Sequence, residues 1–150
     1  MTLPGVLDIA DHLENAAREA LETMCFYGVL GRSAEDGITD DIQMVSLRFH
    51  GDATGTMVLR ISSPALTELS ANFFGEDLLA IEPGQTEAVA CELANMICGA
   101  ALSACQPEGH FDLSQPEPLV LGVPAFDREP DIHLPLDLEN GKLVVCVWVE

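Results

Sequence analysis

DIQMVSLRFHGDATGTMVLRIS, residues 41–62, gives the clearest indication of the fold class of this 150-residue chain. Val45, Leu47 and Phe49 alternate with polar side chains, which is the pattern of a strand with one buried face. A second strand-like run, TGTMVLRI, follows the sequence GDATG, and a Gly-Asp pair between two such runs is typical of a hairpin turn. The stretch therefore predicts an antiparallel pair of strands.

Helical and extended patterns continue on both sides of this pair. Helices are predicted at 8–26, 64–74 and 86–105, and further extended runs at 111–123, 131–138 and 142–149. Gly28 and Gly31 are expected to end the first helix, and an acidic loop is expected over 32–41. Ser62 should cap the second helix, with Pro64 in its first turn and Gly75 at its end.

The order of these elements predicts the architecture. It reads α-β-β-α-α-β-β-β, and Asn140-Gly141 between the last two extended runs is a strong hairpin signal. Strands joined by tight hairpins favour an α+β fold, with an antiparallel sheet packed with long helices. No internal repeat or dividing linker is visible, so residues 1–150 are expected to form a single domain.

The net charge of −19, from 6 Lys and Arg against 25 Asp and Glu, excludes two classes of partner. Nucleic-acid binding needs basic side chains to displace phosphate counterions, and anionic membrane surfaces need them equally. The hydrophobic content of 48% argues against disorder despite this charge.

Several features point to a cytoplasmic location. The amino terminus, MTLPGVLDIADHLE, lacks a basic region and a long apolar run, so no signal peptide is expected. Five cysteines make an odd number without a disulfide framework, which favours reduced thiols. Residues 88–105 resemble a membrane span in composition, but the flanks are acidic, so we interpret them as a buried helix of a soluble protein.

Familiar catalytic and metal motifs are absent from the sequence. We find no nucleotide-binding glycine motif, no HExxH, no GxSxG and no Cys-x5-Arg of a cysteine phosphatase. The four histidines are isolated from one another, so no metal site is expected. Cys91, Cys98 and Cys105 are seven residues apart, which is about 10 Å per step on a helix, so they are interpreted as packing residues.

The helix predicted at 86–105 carries one unusual polar stripe. Glu92 and Asn95 are three residues apart and share a face, along which Ala88, Gly99 and Ser103 also lie. Glu92 is the only charged residue between 88 and 105. The stripe therefore predicts a docking ridge with two polar tips. Alternatively, these two side chains could simply hydrogen bond to neighbouring loops of the domain.

The string ELANMICGA at 92–100 resembles the central-helix signature of the CheC/CheX/FliY chemotaxis phosphatases, with CheX the most similar. VSLRFHGDATGTMVLRIS and ANFFGED before it, and FDLSQPEPLVLGVP and ENGK after it, also resemble the family in the same order. The resemblance runs from about residue 8 to the end of the chain. It implies an antiparallel sheet with long helices and a homodimer.

In function, the resemblance implies hydrolysis of the phosphoaspartate of a CheY-like response regulator. The motif glutamate, here Glu92, would pair with a lysine of the regulator, and the motif asparagine, here Asn95, would orient the attacking water. Mg²⁺ is expected in the regulator, with no cofactor bound by this chain. An amide suits this role because it offers a donor and an acceptor without titrating.

Two departures from the family pattern leave other readings open. Relatives often carry Asp or Ser where this chain has Ala88, and the first helix lacks the second Glu-x-x-Asn found in CheC. One alternative is a non-catalytic module that binds a response regulator or a flagellar-switch protein. Another is a structural dimer joined through the helix at 86–105, which would bury Glu92 and Asn95 at its interface.

Overall fold

The structure is a computed structural model that describes residues 6–34, 41–119 and 128–150. The helices are α1 (Val6–Cys25), α2 (Ser63–Phe74) and α3 (Pro83–Cys105), and a short 3-10 helix spans Leu78–Ala80. The strands are β1 (Val29–Arg32), β2 (Ile42–Gly51), β3 (Gly55–Ser62), β4 (Phe111–Leu113), β5 (Glu117–Leu119), β6 (Ile132–Leu138) and β7 (Gly141–Val149). The predicted α+β class is confirmed.

These strands form one antiparallel sheet in the order β1-β6-β7-β3-β2-β4, and β5 also pairs with β2. The hairpin predicted from residues 41–62 is confirmed, with Val45 opposite Leu59. The run predicted at 111–123 is two three-residue strands, and residues 120–123 lie outside the described part. These two strands occupy the free edge of β2, so they complete that side of the sheet.

Strand β1 was not predicted. It pairs with β6, with Val29 opposite Leu138, although more than 100 residues separate them in the chain. A four-residue strand has too short a pattern to be recognised, and its pairing depends on this distant partner. Most of the acidic loop expected at 32–41 lies outside the described residues.

The end of α1 and the start of α2 are not fixed by the residues that the sequence predicted. Helix α1 ends at Cys25 because Phe26 adopts a left-handed conformation, with φ of 51°, and the Tyr27 N–H donates to the Leu21 carbonyl oxygen. Gly28 comes too late to end the helix. Ser62 precedes α2, but its hydroxyl accepts the Lys142 N–H at 2.9 Å instead of capping the helix.

Two other turns follow the sequence closely. Gly75 ends α2 in a left-handed conformation, with φ of 65°, as predicted. The hairpin predicted at Asn140-Gly141 is present one residue earlier: Leu138 pairs with Gly141, so Glu139 and Asn140 form the turn. Gly141 opens β7 with φ of 106°, a conformation that favours glycine.

All three helices pack on one face of the sheet, where they contact β2, β3, β6 and β7. The alternation along the strands decides this, because residues such as Leu47, Leu59 and Val145 face the helices and are fully buried. A smaller cluster on the opposite face contains Val58 and Trp148. Helix α3 lies against both α1 and α2, so it is held from two sides.

Candidate functional site

Helix α3 begins at Pro83, three residues before the predicted start. Glu82 is its N-cap, and a reciprocal capping box joins Glu82 to Gln85, whose side-chain oxygen accepts the Glu82 N–H at 2.9 Å. Proline is well suited to the first helical turn because its missing N–H has no partner there in any case. The helix is therefore firmly anchored about two turns before the polar stripe.

The inner face of α3 packs into the hydrophobic core. Its buried apolar residues are Val89, Ala90, Leu93, Ala94, Ile97, Cys98, Ala101 and Leu102. Beside this face, Met96 is half-buried and Ala100 is exposed, and both border a shallow groove against α1. Burial over this length fixes the rotation of α3 about its axis.

That rotation directs the predicted stripe outward. Glu92, Asn95, Ala88 and Ser103 are exposed, and Gly99 is half-buried. We refer to these five residues as the α3 ridge. Glu92 and Asn95 are three residues apart, which places their β-carbons about 5–6 Å from each other on a helix. The predicted face is thus present on the surface of the chain.

Within the described part of the chain, neither the Glu92 carboxylate nor the Asn95 amide has a hydrogen bond or an ion pair. The alternative in which these side chains tie down neighbouring loops therefore finds no support there. A carboxylate and an amide presented together without internal partners are available to another molecule.

Two elements that the sequence did not connect with the stripe flank the α3 ridge. On one side α1 contributes Glu19 and Thr23, which line the shallow groove with Met96. On the other side the Cys91 thiol lies 3.9 Å from the Pro116 carbonyl oxygen, in the segment between β4 and β5. Nothing in the local pattern of these residues predicts their position, because it depends on helix and strand packing.

Thiol chemistry is disfavoured at this helix. Burial raises the pKa of Cys98 to about 12, and burial together with the nearby Glu87 carboxylate raises the pKa of Cys91. Both thiols are therefore protonated at neutral pH, while nucleophilic cysteines need a lowered pKa. The interpretation as packing residues agrees with the burial of Cys98, whereas Cys91 and Cys105 are only half-buried.

In the described ranges, no group of three or more His, Cys, Asp or Glu side chains could hold a metal ion. Helix α3 is long and apolar enough to cross a membrane by length and composition, and in the described residues it is the one helix of that kind. In this fold its bulky side chains pack against α1, α2 and the sheet.

Comparison with known proteins identifies the family. Residues 44–133 match the family model of the chemotaxis phosphatase CheX, and this segment covers more than half of the chain and includes the α3 ridge. No curated protein matches.

Solved structures share the fold. A chemotaxis protein CheX from Desulfovibrio desulfuricans is 17% identical with a TM-score of 0.75, over 95% of this chain and 99% of that chain. CheX from Vibrio vulnificus is 17% identical with a TM-score of 0.75, over 98% of this chain and 99% of that chain. A chain of the CheX–CheY–BeF3–Mg²⁺ complex from Borrelia burgdorferi is 14% identical with a TM-score of 0.69, over 93% of this chain and 96% of that chain. The chain belongs to the CheX family of chemotaxis phosphatases.

Proposed function

We propose that this chain is a phosphatase that hydrolyses the phosphoaspartate of a CheY-like response regulator, with the α3 ridge as its active surface. The observation that carries the proposal is the outward presentation of Glu92 and Asn95, without partners among the described residues, on a helix whose other face is buried. Membership of the CheX family and the Borrelia CheX–CheY complex support the choice of partner.

Asn95 acts as the catalytic residue in this proposal. Its amide accepts a hydrogen bond from one water molecule or donates one to it, and so orients that water in line with the phosphorus atom. The water oxygen forms a new bond to phosphorus as the bond between phosphorus and the aspartate oxygen breaks. This restores the aspartate carboxylate and releases inorganic phosphate. Phosphoryl transfer depends mainly on such positioning and on charge stabilisation.

Glu92 acts as a tether. Its carboxylate accepts a charge-assisted hydrogen bond from a lysine of the regulator. This pair fixes the position of the Asn95 side chain relative to the phosphoryl group. The Mg²⁺ of the reaction belongs to the regulator. The other three residues of the ridge, Ala88, Gly99 and Ser103, have small side chains. The regulator surface can therefore approach the helix backbone closely.

The test measures phosphate release from a phosphorylated CheY-like receiver domain with wild-type protein, Asn95→Ala and Glu92→Ala. We expect Asn95→Ala to lower the rate at saturation by about 100-fold or more, as loss of one positioned polar group does in other enzymes. Glu92→Ala should mainly raise the receiver concentration needed for half-saturation. An unchanged rate for Asn95→Ala would overturn the catalytic assignment.

Two exposed residues serve as matched controls. Glu87 is an exposed glutamate of the same helix outside the ridge, and Asn15 is an exposed asparagine of α1. Glu87→Ala and Asn15→Ala should leave phosphate release unchanged. Saturable binding of the receiver without acceleration of phosphate loss would instead favour the non-catalytic binding module.

The same proposal includes one CheX-like domain over residues 1–150 and a cytoplasmic location, both expected from the sequence, and a homodimer, which the family resemblance implies. Light scattering after size-exclusion chromatography measures the dimer directly. If the dimer formed through α3, Glu92→Ala or Asn95→Ala would change its dissociation constant; in our proposal the ridge stays free, so both variants should remain dimers.

A further inference from the structure

Apolar side chains are unusually exposed in one region that shares no residue with the α3 ridge. Leu79 is fully exposed, Leu78 is 49% exposed and Phe26 is 77% exposed. Phe73 and Phe74, in the same 73–79 segment as the leucines, are also exposed. Large exposed apolar surface often marks an interaction site on a soluble protein.

Phe26 and Leu78 line one cleft of about 510 Å³. The cleft lies between the end of α1, helix α2, the 3-10 helix at Leu78–Ala80 and the β6–β7 turn. This volume falls in the range of sites that receive side chains or small ligands. Four carboxylates also line it, those of Glu68, Glu76, Asp77 and Glu139.

The charge of these carboxylates is not balanced inside the cleft. Glu68 accepts the Tyr27 hydroxyl at 2.5 Å and Glu76 accepts the Gln85 amide at 3.3 Å, so both use neutral donors. Glu139 accepts the Gly28 N–H, which is also neutral. Among the described residues that line the cleft, none is Lys or Arg. Burial, Glu68 and Glu139 together raise the pKa of Tyr27, as expected in a negative field.

We propose that this cleft docks a basic amphipathic segment of a partner protein. An apolar anchor of the partner would fill the space beside Phe26 and Leu78, and its Lys or Arg side chains would meet the four carboxylates. Complementary charge of this kind sets the choice of partner and speeds association.

A second copy of this chain is a poor occupant. Four of its five arginines, at positions 18, 32, 48 and 128, already pair with carboxylates of their own chain. A chain with a net charge of −19 also offers no basic segment, because its six Lys and Arg are scattered. The geometry and the charge therefore point to a different, basic partner.

Phe26 provides a variant that separates docking from folding. It occupies a left-handed position, with φ of 51°, where glycine is favoured. Phe26→Gly should therefore leave the thermal midpoint unchanged or raise it, while removing an anchor contact of the cleft. Leu78→Ser with Leu79→Ser removes the leucine of the 3-10 helix that lines the cleft, Leu78, together with its fully exposed neighbour.

The probe is a fluorescent synthetic helix of lysine and leucine, titrated by anisotropy. Matched peptides replace lysine by glutamate or leucine by serine. We expect Phe26→Gly and the double leucine variant to raise the Kd of the lysine-leucine peptide by about tenfold or more. Glu76→Gln with Asp77→Asn should also raise the Kd of this peptide and weaken the dependence of the Kd on salt concentration.

The control is Leu30→Ser, which alters an exposed leucine on β1 and should leave the Kd unchanged. Equal binding of the lysine-serine peptide, or no effect of the Phe26 and leucine variants, would overturn the proposal, since general attraction to an acidic protein would then suffice. Phosphate release is measured in parallel and should be the same in Phe26→Gly as in wild type.

Discussion

Gly99 of the α3 ridge lies beside Leu113 of β4, and a β-carbon built on Gly99 would stand 3.6 Å from Leu113 Cδ1. This is an ordinary van der Waals contact, and among the described residues no closer atom is found. The fold therefore has room for a larger side chain at this position. In the described part of the chain, packing does not require a glycine here, which supports our proposal that the regulator approaches the helix backbone at Gly99.

Gly99→Ala should stabilise the isolated protein by about 0.5–1 kcal/mol, because alanine loses less backbone entropy in a helix. The same change should weaken stimulation of phosphate release by raising the receiver concentration needed. Urea unfolding and phosphate release measured on one preparation check both effects. A lower free energy of unfolding would mean that the glycine serves internal packing.

Asn95→Asp should be nearly as inactive as Asn95→Ala. The aspartate keeps the size of the side chain but loses the N–H donors, and it brings a negative charge toward a phosphoryl group. We expect the rate of phosphate release to fall by about 100-fold. The midpoint of thermal unfolding serves as the control and should not change, since Asn95 is exposed.

Glu14 should make the stability of the protein depend on pH in the acid range. The Arg32 guanidinium, which donates to Glu14 at 2.7 Å, and then Arg18 hold the pKa of Glu14 below its usual value of 4.5. The unfolded chain therefore binds a proton at Glu14 more readily than the folded chain does. The stabilisation is present above about pH 4.5 and is lost as the pH falls through the lower, folded pKa.

The difference in unfolding free energy between wild type and Glu14→Gln measures this effect. It should be up to about 1 kcal/mol at pH 7, since the paired side chains are partly exposed, and should shrink below pH 4.5. Glu22→Gln, on the exposed face of α1, is the control. A difference that stayed constant with pH would contradict the role of the Glu14–Arg32 pair.

The buried thiols should be unreactive in the folded protein. Burial raises the pKa of Cys25 to about 11 and that of Cys98 to about 12, so almost no thiolate exists at pH 8. Mass spectrometry after brief treatment with iodoacetamide should find both residues unmodified without urea and modified with it. Phosphate release should survive the native treatment; its loss on modification of Cys98 would reopen a thiol mechanism.

Local patterns account for most of the elements and for the shared face of the two candidate site residues. The alternation at Val45, Leu47 and Phe49 predicted the central hairpin because a strand exposes its two faces in turn. The spacing of Glu92 and Asn95 predicted a shared face because a helix turns by about 100° per residue. Both properties depend only on neighbouring residues, so a single sequence carries them.

Pairing between distant segments could not be predicted in this way. Strand β1 exists because Val29 pairs with Leu138, and α1 ends at Cys25 because Phe26, which is not a glycine, adopts a left-handed backbone conformation. The cleft beside Phe26 and Leu78 likewise collects side chains from four separate elements. Such features depend on contacts across the folded chain.

The helices, the main hairpins, the family and the two polar residues of the stripe could all be predicted from the sequence, because periodicity and motif spacing are local. The direction in which that stripe faces depends on how α3 packs in the folded chain. Burial of Leu93 and Ile97 against the core rotates α3 so that Glu92 and Asn95 lie exposed and without partners among the described residues. An amphipathic pattern defines two faces of a helix, but only packing decides which face remains accessible.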